Sequence, residues 1–174
     1  MSFLPPSTNH LYQGARVSAW FLLFSAVMTL VPGMIHSFLP DGGAGVIAHL
    51  DMGDRRDLVI GLFRWEGSTQ LALGLGMLAV ALRYQTLTPL FLALVIVERG
   101  LMSLHGWILS PPANGHHPPA HFGSPISVAI SAALRLTCSS LAAPRASAAR
   151  QYLQQQAARV PVVAMASTAA TVVT

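Results

Sequence analysis

The chain has no lysine, one cysteine (Cys138) and few charges of either sign, only 9% of its 174 residues, against roughly 25% in ordinary soluble domains. Each scarcity excludes something. A single cysteine rules out an internal disulfide framework and any zinc or iron–sulfur site built from several thiolates. A soluble fold of this size could not solvate its surface with so few charges, and the 53% hydrophobic content and mean hydropathy of +0.55 agree. All ten basic residues are arginines, but they are scattered along the chain, without the stripe or patch that a nucleic-acid partner needs. Ser-His-Asp sets, phosphate loops, HExxH and CxxC are also missing, so no enzyme motif of established mechanics is present.

What the chain does have is apolar length. Met1–Gly14 carries Pro5-Pro6 and reads as a short flexible arm. Residues 15–39 are apolar apart from Arg16, His36 and the Pro32-Gly33 pair, and about 20 helical residues cross a ~30 Å hydrocarbon core. A secretory signal is the rival for this stretch, but no small-x-small cleavage site follows, so an uncleaved helix is expected. Pro32-Gly33 should kink it. A Gly- and Asp-rich loop, Pro40–Asp57, leads to apolar runs at 58–82 and 87–108, joined tightly enough to predict a hairpin of neighbouring helices. Four prolines break Leu109–Gly123. Ser124-Pro125 then resembles a helix N-terminus for a fourth run over 124–143.

The expectation is an all-α integral membrane four-helix bundle over residues 1–143, with spans at about 15–39, 58–82, 87–108 and 124–143, and a flexible cytoplasmic tail over 144–174. Arg16, Arg83, Arg145 and Arg150 fall on one side of such a bundle, which sets both termini in the cytoplasm and the chain in the cytoplasmic (inner) membrane. Gly67, Gly74, Gly76, Gly100 and Gly106 would let helices approach closely.

The spans also carry Arg64, Glu66, Gln70, Glu98, Arg99, His105 and, on the fourth, Arg135. A charge at mid-bilayer costs at least ~2.5–3.5 kcal/mol, so these side chains should face the interior and find partners. Arg64 and Glu66 lie ~200° apart on their helix and cannot pair. Folding the second and third spans about Gln85-Thr86 sets Glu66 level with His105, with Arg99 ~9 Å deeper. The favoured pairs are Glu66 with His105 or Arg99, and Glu98 with Arg99 or Arg135. They act either as clasps between helices or as a polar pocket for a proton, ligand or cofactor.

His36, at the same depth as His105 and Glu66, would let two imidazoles and a carboxylate converge on a metal ion, or two imidazoles grip a haem b. His116, His117 and His121 in the next loop are further candidate ligands. No cofactor is firmly implied.

Phe63–Trp107 resembles the helical hairpin of small four-helix bacterial membrane proteins in the DoxX-like group and related families of unknown function. Arg64, Gly67, Gly74 and Arg99 are the matching positions. The resemblance implies a four-helix architecture and imports almost no activity. The expected function is an accessory or binding protein of the lipid bilayer. It would pack against another membrane subunit or a second copy, or hold a small apolar ligand. The alternative is a redox or metal/haem enzyme using His36, His105 and Glu66; a transporter, which would need to oligomerise, ranks third.

Overall fold

A computed structural model describes residues 4–113 and 115–159, and every regular element among them is helical. Four long helices follow one another: α1 (Arg16–Phe38), α2 (Arg56–Arg83), α3 (Thr88–Leu104), which continues as a π turn (His105–Leu109), and α4 (Pro119–Arg159). Two stretches, Arg16–Phe38 and Gln85–Leu109, are long and apolar enough to cross a membrane.

The buried positions explain how the helices meet. On α1 they include Leu22, Ala26, Thr29 and Gly33, and on α2 Gly67, Gln70, Gly74, Met77 and Ala81. Both sets repeat at alternating three- and four-residue steps, the spacing of a seam between supercoiled helices. The two helices run antiparallel: Gly33 abuts Gln70, and Gly67 abuts His36 and Ser37. A Cβ on Gly67 would stand 2.6 Å from Ser37 Oγ and 2.8 Å from Ser37 N, so only glycine allows this approach. α3 and α4 form a second antiparallel pair, with Met102 beside Ser124 and Gly106 beside His121. The apolar core lies where the pairs touch, around Leu22, Ala26, Met77, Val80, Ala81 and Val95, with Phe91 packed against it.

This pairing corrects one expectation. α2 and α3 are consecutive, yet each lies mainly along another helix, α2 on α1 and α3 on α4. The short connection forces contact near Gly76 and Phe91, but the glycine seam draws the rest of α2 to α1.

The amino-terminal arm is docked rather than free from Leu4 onward. A helix end leaves its last carbonyls without helical donors, and the arm supplies them. The Thr8 amide and Ser7 Oγ each donate to the Arg83 carbonyl at 3.0 Å, and Asn9 Nδ2 donates to the Leu82 carbonyl at 2.7 Å. In return Arg83 and the Tyr84 hydroxyl donate to the Pro5 carbonyl. The loop after α1 is ordered by Asp41, whose carboxylate accepts backbone N–H bonds from Gly43, Gly45 and Val46. Those bonds hold Asp41 below the usual carboxylate range.

α4 departs furthest from expectation. It starts at Pro119, five residues before Ser124, and continues past Pro144 to Arg159. Pro125 therefore lies inside a helix, where its missing N–H would orphan the carbonyl of His121. Trp107 Nε1 fills that role, donating to the His121 carbonyl at 2.9 Å. The first part of the expected tail is thus helical, and the remainder, 160–174, lies outside the described residues. The π turn that begins at His105 puts Trp107 within reach.

Candidate functional site

The polar residues expected inside the bundle divide into two groups. Thr29 on α1, Gln70 on α2 and Arg99 on α3 turn inward, with Glu98 beside them. Arg99 Nη2 donates to Thr29 Oγ1 at 3.2 Å, and Arg99 Nε stands 3.4 Å from Glu98 Oε2, so the guanidinium ties α3 to α1 while pairing with its neighbour. Of the favoured pairings, Glu98 with Arg99 is present. Glu66 is instead engaged along its own helix, accepting from Gln70 Nε2 at 2.9 Å. Among the described residues Gln70 Oε1 has no hydrogen-bond donor, and Glu98 Oε2 has only its ion pair with Arg99.

The second group faces outward. Arg64, Glu66, His105 and Arg135 are exposed. The expected common depth did not bring these residues into contact. Thr29 lies opposite Arg99 on α3, and the expected register would set His36, seven residues on, level with Gly106. But His36 donates Nδ1–H to the Gly42 carbonyl at 2.6 Å and stands edge-on to Phe63, with ring centres 5.0 Å apart. His105 lies on the outward side of the π turn. Among the described residues no three His, Cys, Asp or Glu side chains come together as a metal-binding group. The expectation of a metal or haem gripped by His36, His105 and Glu66 is therefore corrected: a loop carbonyl and an aromatic ring hold the first imidazole, and the other two side chains point away.

The histidines after α3 have their own arrangement. His116 Nε2–H donates to the Ala48 carbonyl at 2.9 Å, tying this loop to the one after α1. His117 and His121 face each other, their Nδ1 atoms 3.0 Å apart, and Trp107 stacks on His117.

Between α1, α3 and α4 lies a cleft of about 400 Å³. Phe21, Phe24, Met28 and Pro32 of α1 form one wall and Ile126 and Ile130 of α4 the other, with Val95 and Arg99 of α3 at its back. Thr29, Ser25, Ser124 and Ser127 contribute hydroxyls. The cleft is thus apolar with one cation and a few hydroxyls on its lining, the usual character of a small-molecule site. A second cleft of about 390 Å³, beside Arg16, Trp20 and Gln85, has no comparable buried polar cluster.

Thr29 and the serines of α4 were missed as site residues from sequence. Among the described residues of α4, Ser124, Ser131 and Cys138 are buried and fall seven residues apart, a spacing readable in the sequence as a helix face of small residues. Cys138 Sγ donates to Ser18 Oγ at 3.1 Å, fastening α4 to α1 at the far end from the histidines. Compared with protein-family models, curated proteins and solved structures, the chain matches none.

Proposed function

We propose that this is a multi-pass membrane protein whose four helices cross the bilayer with both termini in the cytoplasm, and which holds a small apolar ligand in the cleft between α1, α3 and α4. The observation that carries the proposal is the lack of burial of its most apolar helices. Only 33% of the apolar window of Arg16–Phe38 and 17% of that of Gln85–Leu109 is buried. The core helix of a soluble protein hides its apolar side chains, whereas here Trp20, Phe24, Val27, Leu94, Val97 and Ile108 stand on the surface. Contiguous apolar surface of this extent calls for lipid or a partner protein around it.

Within that setting the cleft is the natural ligand site. Its aromatic and aliphatic walls suit an alkyl or aryl body, and Arg99 with the Thr29 hydroxyl suits a single acceptor group on the ligand. Apolar surface left over favours an accessory role, with the chain packing against another membrane subunit or a second copy. The likeness to the DoxX-like group is carried forward with the four-span architecture as part of this proposal.

The test uses an alkyl diazirine probe, photolysed against the full chain in lipid nanodiscs and mapped by mass spectrometry. Labels are expected on the cleft residues Phe21, Ser25 and Val95, which are half-buried or buried, as well as on lipid-facing positions such as Val97. Ser127→Trp, which fills the cleft, should remove the first set and leave the second. Retention of both sets in that variant would refute the ligand site; absence of label from Val97 and its lipid-facing neighbours would refute the bilayer placement.

A further inference from the structure

The loop between α3 and α4 holds two imidazoles in an order that packing alone does not require. His117 lies two residues before α4 and His121 in its first turn, with their Nδ1 atoms 3.0 Å apart. Each ring is fixed by something other than its partner. Trp107 lies flat on His117, ring centres 4.1 Å apart at 10°. The same indole holds the His121 backbone through its Nε1 hydrogen bond. Gly106 makes room for the His121 ring, since a Cβ there would come within 2.9 Å of it.

The two Nδ1 atoms stand one hydrogen bond apart, so the space between them takes a hydrogen carried by one ring or, in its place, a metal ion that both nitrogens bind. In the free chain the ring hydrogen lies there. A metal ion takes its place when that hydrogen shifts to Nε2 of its own ring, which frees both Nδ1 lone pairs and leaves both rings neutral. The separation also selects a geometry. Two nitrogens each roughly 2.0–2.1 Å from one ion and 3.0 Å apart subtend about 94°, nearer the right angle of a tetragonal site than the tetrahedral angle of zinc.

We infer that His117 and His121 form a two-imidazole site for a divalent transition-metal ion, with Cu(II) the tightest binder and water completing its coordination. Imidazole ligands at a right angle suit Cu(II) and Ni(II), and Cu(II) stands at the top of the divalent affinity order. The site is separate from the cleft and from His36, and does not rest on the ligand proposed there. Trp107, stacked on one ligand and bonded to the backbone of the other, is a positioning residue and a built-in reporter, because bound Cu(II) quenches a nearby indole.

The experiment titrates CuCl2 into the EDTA-stripped full-length protein and records frozen-solution electron paramagnetic resonance together with tryptophan fluorescence. One Cu(II) per chain with two coupled nitrogens is expected. His117→Ala and His121→Ala should each weaken binding more than about tenfold, while His116→Ala and His36→Ala leave it unchanged. Trp107→Phe should keep the two-nitrogen signal and abolish the quenching. The spectrum of the unsubstituted chain decides the matter even if a variant misfolds. Oxygen-only or single-nitrogen coordination there overturns the inference, as does wild-type affinity in either folded alanine variant.

Discussion

The α1–α2 and α3–α4 pairs solve the same packing problem with different residues. α1 and α2 meet through glycines, whose backbones approach until a single methyl would collide. α4 buries a line of small side chains, Ser124, Ser131 and Cys138, of which Ser124 meets Met102 of α3 and Cys138 meets Ser18 of α1. The first solution is rigid and intolerant, and its ends are tied by the amino-terminal arm and the Asp41 loop. The second leaves hydroxyls near the cleft and ends in a cluster of imidazole and indole rings. Close-packed glycine makes the scaffold, and the looser polar seam makes room for a site.

Breaking the tight pair should have the largest effect. Gly67→Val drives a branched side chain into Ser37 and His36, and is expected to cost about 1–3 kcal/mol or more, read as a lower melting temperature. Gly100 has nothing within 4 Å of an added Cβ, so Gly100→Ala should be neutral or slightly stabilising. Equal sensitivity at the two positions would erase the proposed difference between the pairs.

Next in size is the bond between pairs. Arg99→Met removes the link to Thr29 and leaves Glu98 without its counter-charge. A double-mutant cycle with Thr29→Val should give a coupling of about 0.6–1.7 kcal/mol, the range of interhelical hydrogen bonds in membranes. No coupling would mean that this bond adds nothing to the apolar packing and the Cys138–Ser18 contact that also join the pairs.

Asn9→Ala frees the Leu82 carbonyl and the Gln85 amide at the α2–α3 corner. A loss of about 1 kcal/mol is expected, with faster amide exchange confined to that corner. The smallest effect concerns Asp41. Its folded pKa is depressed by three backbone donors, so its contribution is complete above the unfolded value of about 3.9 and disappears as pH falls through the lower folded value. Asp41→Asn should remove that acid dependence and change little at neutral pH, as a thermal-melt series from pH 2 to 7 would record.

Helix existence was legible in the sequence, because long apolar runs bounded by Gly, Pro and Asp leave few alternatives. Which helices pack together was not legible from chain order, because the glycine seam and the α4 serine line outweighed adjacency. The start of α4 was missed for a specific reason. A helix through Pro125 requires an outside donor for the His121 carbonyl, and Trp107 reaches it only through a π turn that no local spacing announces. Of the candidate site, Arg99 and Glu98 could be read directly as costly charges, whereas Thr29 became visible only when α1 was seen running parallel to α3.

The bilayer assignment underlies the rest, and Cys138, the chain's one cysteine and a buried one, makes it accessible to a direct measurement. In a Cys138→Ser background, single cysteines would replace Val27 on α1 and Val97 on α3, both about half exposed on the isolated chain, with Asp51 in the first loop as control. A membrane-impermeant maleimide applied to opened membranes should modify the Asp51 position and spare the other two until detergent is added. Full modification of Val27→Cys and Val97→Cys without detergent would show that those apolar faces meet water, and would contradict the account.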